Sequence, residues 1–237
     1  MEILMLRFDA PLMSFGGVMV DQHGPTDRFP GTSLLTGLFG NALGWHHGDF
    51  ERLQALQERI RFAARWDVEP EPMCDYHTVD LGQPKMCKAG WTTRGETEHR
   101  TGGDARFGTH QRYRHYWANG VLTLAVTLTG EEQPDVQTLA AALARPARPL
   151  FLGRKTCLPA APLLLGTTEA ADPLAAILTW PLHERATNQK LSACWPAEVS
   201  GPSQGRLVRR YDRREWRNQL HVGARDQLEG RIEWRIP

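Results

Sequence analysis

Arginine carries most of the chemistry in this sequence, and it comes in two runs. The first holds Lys85, Lys88, Arg94, Arg100, Arg106, Arg112 and Arg114, opposed only by Glu96, Glu98 and Asp104. The second holds Arg206, Arg209, Arg210, Arg213, Arg214 and Arg217, against Asp212 and Glu215. A guanidinium offers a rigid fork of donors that fits two phosphate oxygens, and its flat face stacks on a base. Clustered Arg therefore points to a nucleic-acid backbone. The formal net charge is only +1, which argues against a free-standing polyanion binder. The combination fits a subunit that grips phosphate locally and meets protein elsewhere. Solvated loop charge is the alternative for either run taken alone.

Smaller groupings add candidates. Arg114 and Tyr116 lie close together, one able to pair with phosphate and the other to stack on a base. Gly153-Arg154-Lys155 follows an apolar stretch, and such a turn lets backbone N–H groups and cations meet one phosphate. Phe151 just before it suits either a base or the core. Arg28 and Ser33 flank a helix start, where the dipole favours an anion; Arg28 can instead pair with Asp21 or Asp27. Ser14 sits in a long polar loop, Leu12 to Arg28, that leads into that helix, an expected place for function. His77 is the residue an enzyme would rest on. RNA cleavage without metal needs a base for the 2′-OH and an acid for the leaving oxygen, and His77 with Tyr76 or Lys155 has those types. A structural His77 is the other reading. The adjacent pair His46-His47 points apart on a helix, and no His or Cys cluster has metal-ligand spacing. No cofactor is expected.

These residues need a scaffold. Leu34, Leu35, Leu38, Ala42 and Trp45 fall at helical spacing after Pro30-Gly31, with Thr32 or Ser33 as the expected N-cap. Gly37, Gly40 and Gly44 share one face of that helix. Each costs ~1 kcal/mol relative to Ala, so close packing on a sheet, or receipt of a nucleic-acid backbone, is expected there. Ile3 to Phe8, Ile60 to Val68 and Val121 to Thr129 alternate as strands, Asp49 to Leu56 and Pro134 to Ala144 read as helices, and Leu150 to Leu152 reads as a short strand. The order β-α-β, insertion, β-α-β is that of a ferredoxin-like α+β fold. One sheet face is then expected to carry helices and the other to stay free for RNA. Leu81 to Tyr113 loses all hydrophobic period and reads as an excursion from the core. Trp91 and Phe107 within it are candidate wedges beside bases. The four cysteines are scattered and read as reduced core thiols. The sequence has no signal-peptide order and no apolar run of membrane-spanning length, so a cytoplasmic location is expected.

Several motifs are more specific. Leu6-Arg7, Ala10-Pro11, Phe15-Gly16, Pro25-Thr26-Asp27-Arg28-Phe29-Pro30 and Ser33-Leu34-Leu35-Thr36-Gly37-Leu38-Phe39-Gly40 occur in that order. Asp75-Tyr76-His77-Thr78-Val79, Phe151-Leu152-Gly153-Arg154-Lys155-Thr156-Cys157-Leu158-Pro159, Pro162-Leu163-Leu164-Leu165-Gly166 and Arg214-Glu215-Trp216 follow. Together they resemble the CasD family, a RAMP-superfamily subunit of Cascade, the type I-E CRISPR interference complex. The resemblance implies a ferredoxin-like, RRM-related core over residues 1–160, interrupted by an inserted thumb over 77–117. A small C-terminal β region is expected over 161–237. It implies a non-catalytic subunit that holds the 5′ handle of the CRISPR RNA, caps the CasC backbone beside CasA, and meets target DNA through the assembled complex. The RNA-binding set expected on this basis is Ser14, Arg28, Ser33, His77, Arg112, Arg114, Tyr116, Phe151, Arg154 and Lys155. The alternative is a metal-independent endoribonuclease acting on precursor CRISPR RNA, as a type I-C relative does.

Overall fold

A computed structural model describes residues 1–80, 90–91, 97–98, 109–199 and 205–234. The strands and helices in chain order are β1 (Glu2–Asp9), β2 (Leu12–Met13), β3 (His23–Gly24), α1 (Thr32–Ala42), α2 (Phe50–Arg59), β4 (Ile60–Val68) and β5 (Glu71–Asp80). Then come β6 (Gly90–Trp91), β7 (Thr97–Glu98), β8 (Thr109–Ala118), β9 (Val121–Leu128) and α3 (Val136–Ala144). The chain ends with β10 (Leu164–Glu169), α4 (Pro173–Thr179), β11 (Lys190–Pro196), β12 (Arg206–Glu215) and β13 (Leu220–Glu233).

The main sheet runs β10-β1-β9-β4-β11-β13-β12. Its first four strands, with α1 and α3 as the crossovers, make the ferredoxin-like core. The fourth strand is not Leu150 to Leu152, as the sequence suggested, but β10, paired antiparallel to β1 from Glu2↔Glu169 to Leu6↔Leu164. Leu152 is fully buried, but its N–H closes a local turn onto the Cys157 carbonyl at 2.8 Å. The apolar run fills the core without joining the sheet. The C-terminal region is β-rich, and its strands continue the same sheet through β11, which pairs with β4 at Cys194↔Ala64.

Strand alternation divides the core into two layers. Leu4, Leu6, Phe8, Phe62, Ala64, Trp66, Leu122 and Leu124 face α1 and α3. Ile3, Met5, Ala63 and Ala125 face the other way, against Ile177 of α4, Trp195 and Ile232. The reverse face is thus covered, not open to RNA as expected from the ferredoxin-like pattern. The reason is local: Arg65 and Asp67, both fully buried, lie under α4. Arg65 Nε donates to Asp67 Oδ1 at 2.7 Å, and its NH2 reaches the carbonyls of Trp180 and Pro181 at 2.8 and 3.1 Å. Thr123 Oγ1 and the His183 N–H both donate to Asp67 Oδ2, at 2.9 Å each. Every charge there has a partner, as burial requires.

Helix α1 starts differently from its sequence reading. Gly31 is the N-cap and no side chain of its own turn caps it. The carboxylate of Asp212, from β12, accepts the Thr32 N–H at 3.0 Å and pairs with Arg225 at 2.8 Å. The glycine stripe does not pack on the sheet. A Cβ on Gly40 would lie 2.7 Å from Leu53 of α2, and one on Gly37 would lie 3.8 Å from Trp216. At Gly40 the close approach is helix on helix, Gly37 is only in ordinary contact with Trp216 after β12, and Gly44 lies beyond the helix end with φ +80°. Of the cysteines, Cys157 and Cys194 are buried, and burial pushes the Cys194 thiol up to about 12. Cys74 is exposed rather than in the core; Cys87 lies outside the described residues.

A candidate nucleic-acid interface

The excursion begins as a β-hairpin stem. β5 and β8 pair antiparallel from Glu71↔Ala118 to Asp80↔Thr109, and β2 and β3 flank β8 in a four-stranded sheet. Beyond the stem, of Leu81 to Gly108 only the short β6–β7 pairing is described. Lys85, Lys88, Arg94, Arg100 and Arg106 lie outside the described residues, as do the candidate wedge Phe107 and the side chain of Trp91.

An open cleft of about 770 Å³ lies where four segments meet: the loop from Ser14 to Met19, the first turn of α1, the Gly153-Arg154 turn, and β12. Backbone contacts fix its floor. The Ser14 N–H donates to the Leu152 carbonyl at 3.0 Å. Gly153 has φ +102°, and a Cβ there would sit 1.6 Å from the Ser14 carbonyl oxygen. Only glycine permits this crossing.

Four arginines line the cleft, and they divide by charge. Arg209 pairs with Asp226 at 2.9 Å. Arg210 pairs with Asp27 at 3.2 Å and Glu229 at 2.5 Å. Burial pushes the Asp27 carboxyl above its usual range, against the opposing pull of Arg210. Arg154 donates to the carbonyls of His115 and Gly24 at 3.0 and 2.9 Å and lies 4.6 Å above the Tyr116 ring. Arg214 donates to the Gln219 carbonyl at 3.2 Å and lies 5.4 Å from the Trp216 ring. Neither has a carboxylate within 4 Å among the described residues. Both guanidiniums are held in place by neutral groups, so their charge is left for a ligand. Ser33, His221 and Tyr211 complete the rim.

The sequence candidates distribute as follows. Ser14, Ser33 and Arg154 converge on the cleft. Tyr116 is buried at 4 % exposure beneath Arg154, so it presents no free ring face. Arg28 pairs with Glu69 rather than Asp21 or Asp27, and its guanidinium lies between the Trp66 and Trp117 rings at 5.3 and 5.1 Å. It holds the base of the hairpin. Phe151 is half-buried and Lys155 exposed on the turn. His77 and Arg112 face each other across the stem, with Arg114 opposite Asp75. His77 Nε2 lies 2.6 Å from Asp75 Oδ2. Tyr76, as its strand neighbour, points to the opposite face, so His77 and Tyr76 cannot converge on one scissile bond. Among the described residues no group of three His, Cys, Asp or Glu is placed to hold a metal ion, and no helix is long and apolar enough to cross a membrane.

The sequence reading flagged the run Arg206 to Arg217 without naming its members as site residues. Arg214 was hidden because its neutral surroundings, Gln219 and Trp216, depend on the β12–β13 register. Its signals were its place in the basic run and in Arg214-Glu215-Trp216.

Comparison with known proteins fits this geometry. The family model for CRISPR-associated protein (Cas_Cas5) matches residues 3–227. The CRISPR system Cascade subunit CasD of Escherichia coli (strain K12) is 35% identical over 185 residues, covering 75% of this chain and 76% of that protein. A solved CRISPR RNA-guided surveillance complex contains a chain that superposes with a TM-score of 0.69 at 25% identity, over 99% of this chain and 91% of that one. A second solved structure, a crystal structure of a Cas protein, shares the fold with a TM-score of 0.60 at 22% identity, over 98% and 94%.

Proposed function

This chain belongs to the Cas5 family of CRISPR-associated proteins, and from that membership we propose that it is a non-catalytic CRISPR RNA-binding subunit of a type I-E Cascade complex in the cytoplasm. The 5′ handle of the guide lies in the cleft between α1, the Gly153-Arg154 turn and β12. Arg154 and Arg214 take phosphates there. The hairpin stem extends from the cleft as the thumb, with Arg112 and Arg114 along it. Other Cascade subunits, CasA and the CasC backbone, meet the remaining surface, and target DNA is reached through the assembled complex.

The observation that carries this reading is the pair of arginines anchored by carbonyls and, among the described residues, lacking a carboxylate. A buried ion pair inside the protein is electrostatically complete; a guanidinium fixed by neutral acceptors is preorganised for an anion, which lowers the ordering cost of binding. The endoribonuclease alternative gains nothing from the separation of His77 and Tyr76 on opposite strand faces.

The test is incubation of the purified protein with labelled precursor CRISPR RNA, with and without EDTA, resolved on gels for both cleavage and binding. The expected result is intact RNA in a salt-sensitive complex that persists in His77→Ala. A discrete cut in the repeat that survives EDTA and is lost in His77→Ala would overturn the non-catalytic reading.

A further inference from the structure

The face of the hairpin stem opposite His77, Arg112 and Arg114 carries a row of rings that no handle contact above uses. Tyr76 on β5, Tyr113 on β8 and His23 on β3 stand side by side across three adjacent strands. The pairing Tyr76↔Tyr113 and His23↔Tyr113 puts them in register. Tyr76 and Tyr113 have centroids 5.1 Å apart at 35°. Tyr113 and His23 are 4.9 Å apart at 11°. His115, two residues along β8, continues the row 6.2 Å from His23 at 26°.

The row is not core packing. Tyr76 is 50 % exposed, and His23 is exposed. Among the described residues β5 pairs only with β8, so Tyr76 stands on an edge strand of the sheet. No backbone need holds these residues as rings: on an exposed strand face Thr or Val would keep β-propensity equally well. Aromatic rings normally gain by burying area, and here one ring face has nothing stacked on it among the described residues. The polar edges, and the near-parallel stacking of Tyr113 on His23 with Tyr76 tilted 35° beside it, suit a planar, partly polar partner better than an aliphatic side chain.

We propose that the outer face of Tyr76 stacks one unpaired nucleobase of single-stranded RNA, extending the Tyr76–Tyr113–His23 row by one ring. This rests on the reading of the chain as an RNA-binding subunit and names a second contact outside the arginine cleft. Stacking is indifferent to base identity, because every base has a π-face. The contact therefore sets where along the RNA the strand is held, and adds no sequence preference.

The test is a double-mutant cycle between protein and RNA. Handle RNAs are made with a single abasic nucleotide at each position in turn, and each is titrated against wild type, Tyr76→Ala and Tyr76→Phe. Tyr76→Ala is expected to weaken binding about ten-fold with the salt slope unchanged, since no phosphate contact is lost. Tyr76→Phe keeps wild-type affinity. At one RNA position, or two adjacent ones, the abasic loss and the Tyr76→Ala loss fail to add. Additive losses at every position would overturn the stacked base while leaving handle binding intact. Unchanged RNA affinity in Tyr76→Ala together with weakened assembly of Cascade would also overturn it, assigning the ring row to a protein partner. A wild-type protein that binds none of these RNAs would sink the handle reading itself.

Discussion

Arg65 and Arg154 solve the same local problem and end with opposite properties. Each is a guanidinium that ties together backbone carbonyls from different segments. Arg65 joins β4 to the end of α4 and the loop after it; Arg154 joins the turn after Leu152 to β3 and β8. Arg65 also has Asp67, and is fully buried. Arg154 has no carboxylate among the described residues and lines an open cleft. On the proposed reading, one acidic side chain separates a structural rivet from a phosphate-binding residue. Position in a basic run does not make that distinction, since Arg209 and Arg210 lie in the same run as Arg214 and are neutralised.

The largest effect follows from removing the acid that completes the buried pair. Asp67→Ala leaves Arg65 charged beneath α4, and is expected to cost ~3–5 kcal/mol of stability, read by chemical denaturation. A loss under ~1 kcal/mol would show that the two arginines are less different than their surroundings imply. Next comes the cleft. Arg154→Ala and Arg214→Ala should each weaken RNA binding about ten-fold and reduce the salt slope by about 1, measured by titration at several salt concentrations. Arg154→Ala has a second consequence, the release of the His115 and Gly24 carbonyls, so its stability falls where that of Arg214→Ala falls less. The smallest effect belongs to Arg209→Ala. Its exposed pair with Asp226 contributes less than ~1 kcal/mol to stability, and RNA affinity and salt slope should both stay near wild type. A salt slope that drops as far as in Arg214→Ala would erase the distinction between paired and unpaired cleft arginines.

Much of this fold was legible in the sequence because each central strand keeps one face apolar. β1, β4 and β9 place Leu4, Leu6 and Phe8, Phe62 and Trp66, and Leu122 and Leu124 at alternate positions, and α3 carries a clear stripe of Val136, Leu139 and Leu143. The edges were harder. β10 reads Leu-Leu-Gly-Thr-Thr-Glu and is half exposed, so the more apolar Leu150-Phe151-Leu152 looked like the better strand. β12 and β13 are longer than their apolar content suggests. Their alternation is held by cross-strand pairs such as Arg209↔Asp226, and such pairs are invisible until the register is known. The site was legible to the same degree. The Gly-Arg-Lys turn singled out Arg154, which lines the cleft, whereas Tyr116 was recognisable as aromatic but not as buried. No local pattern could reveal that the carboxylate capping α1 comes from β12.

That cap has a temporal side. Asp212 and Thr32 are separated by 180 residues. At roughly 5–20 residues per second, a ribosome adds the intervening chain in about 10–40 s. Through that interval every strand and helix of the ferredoxin-like core can already be emerging, while the first turn of α1 waits for its acceptor. The helix end that the finished protein closes with its own carboxylate is thus an unfilled anion site on the growing chain, and the β12–β13 hairpin, which follows the core in the chain, is the one that shuts it.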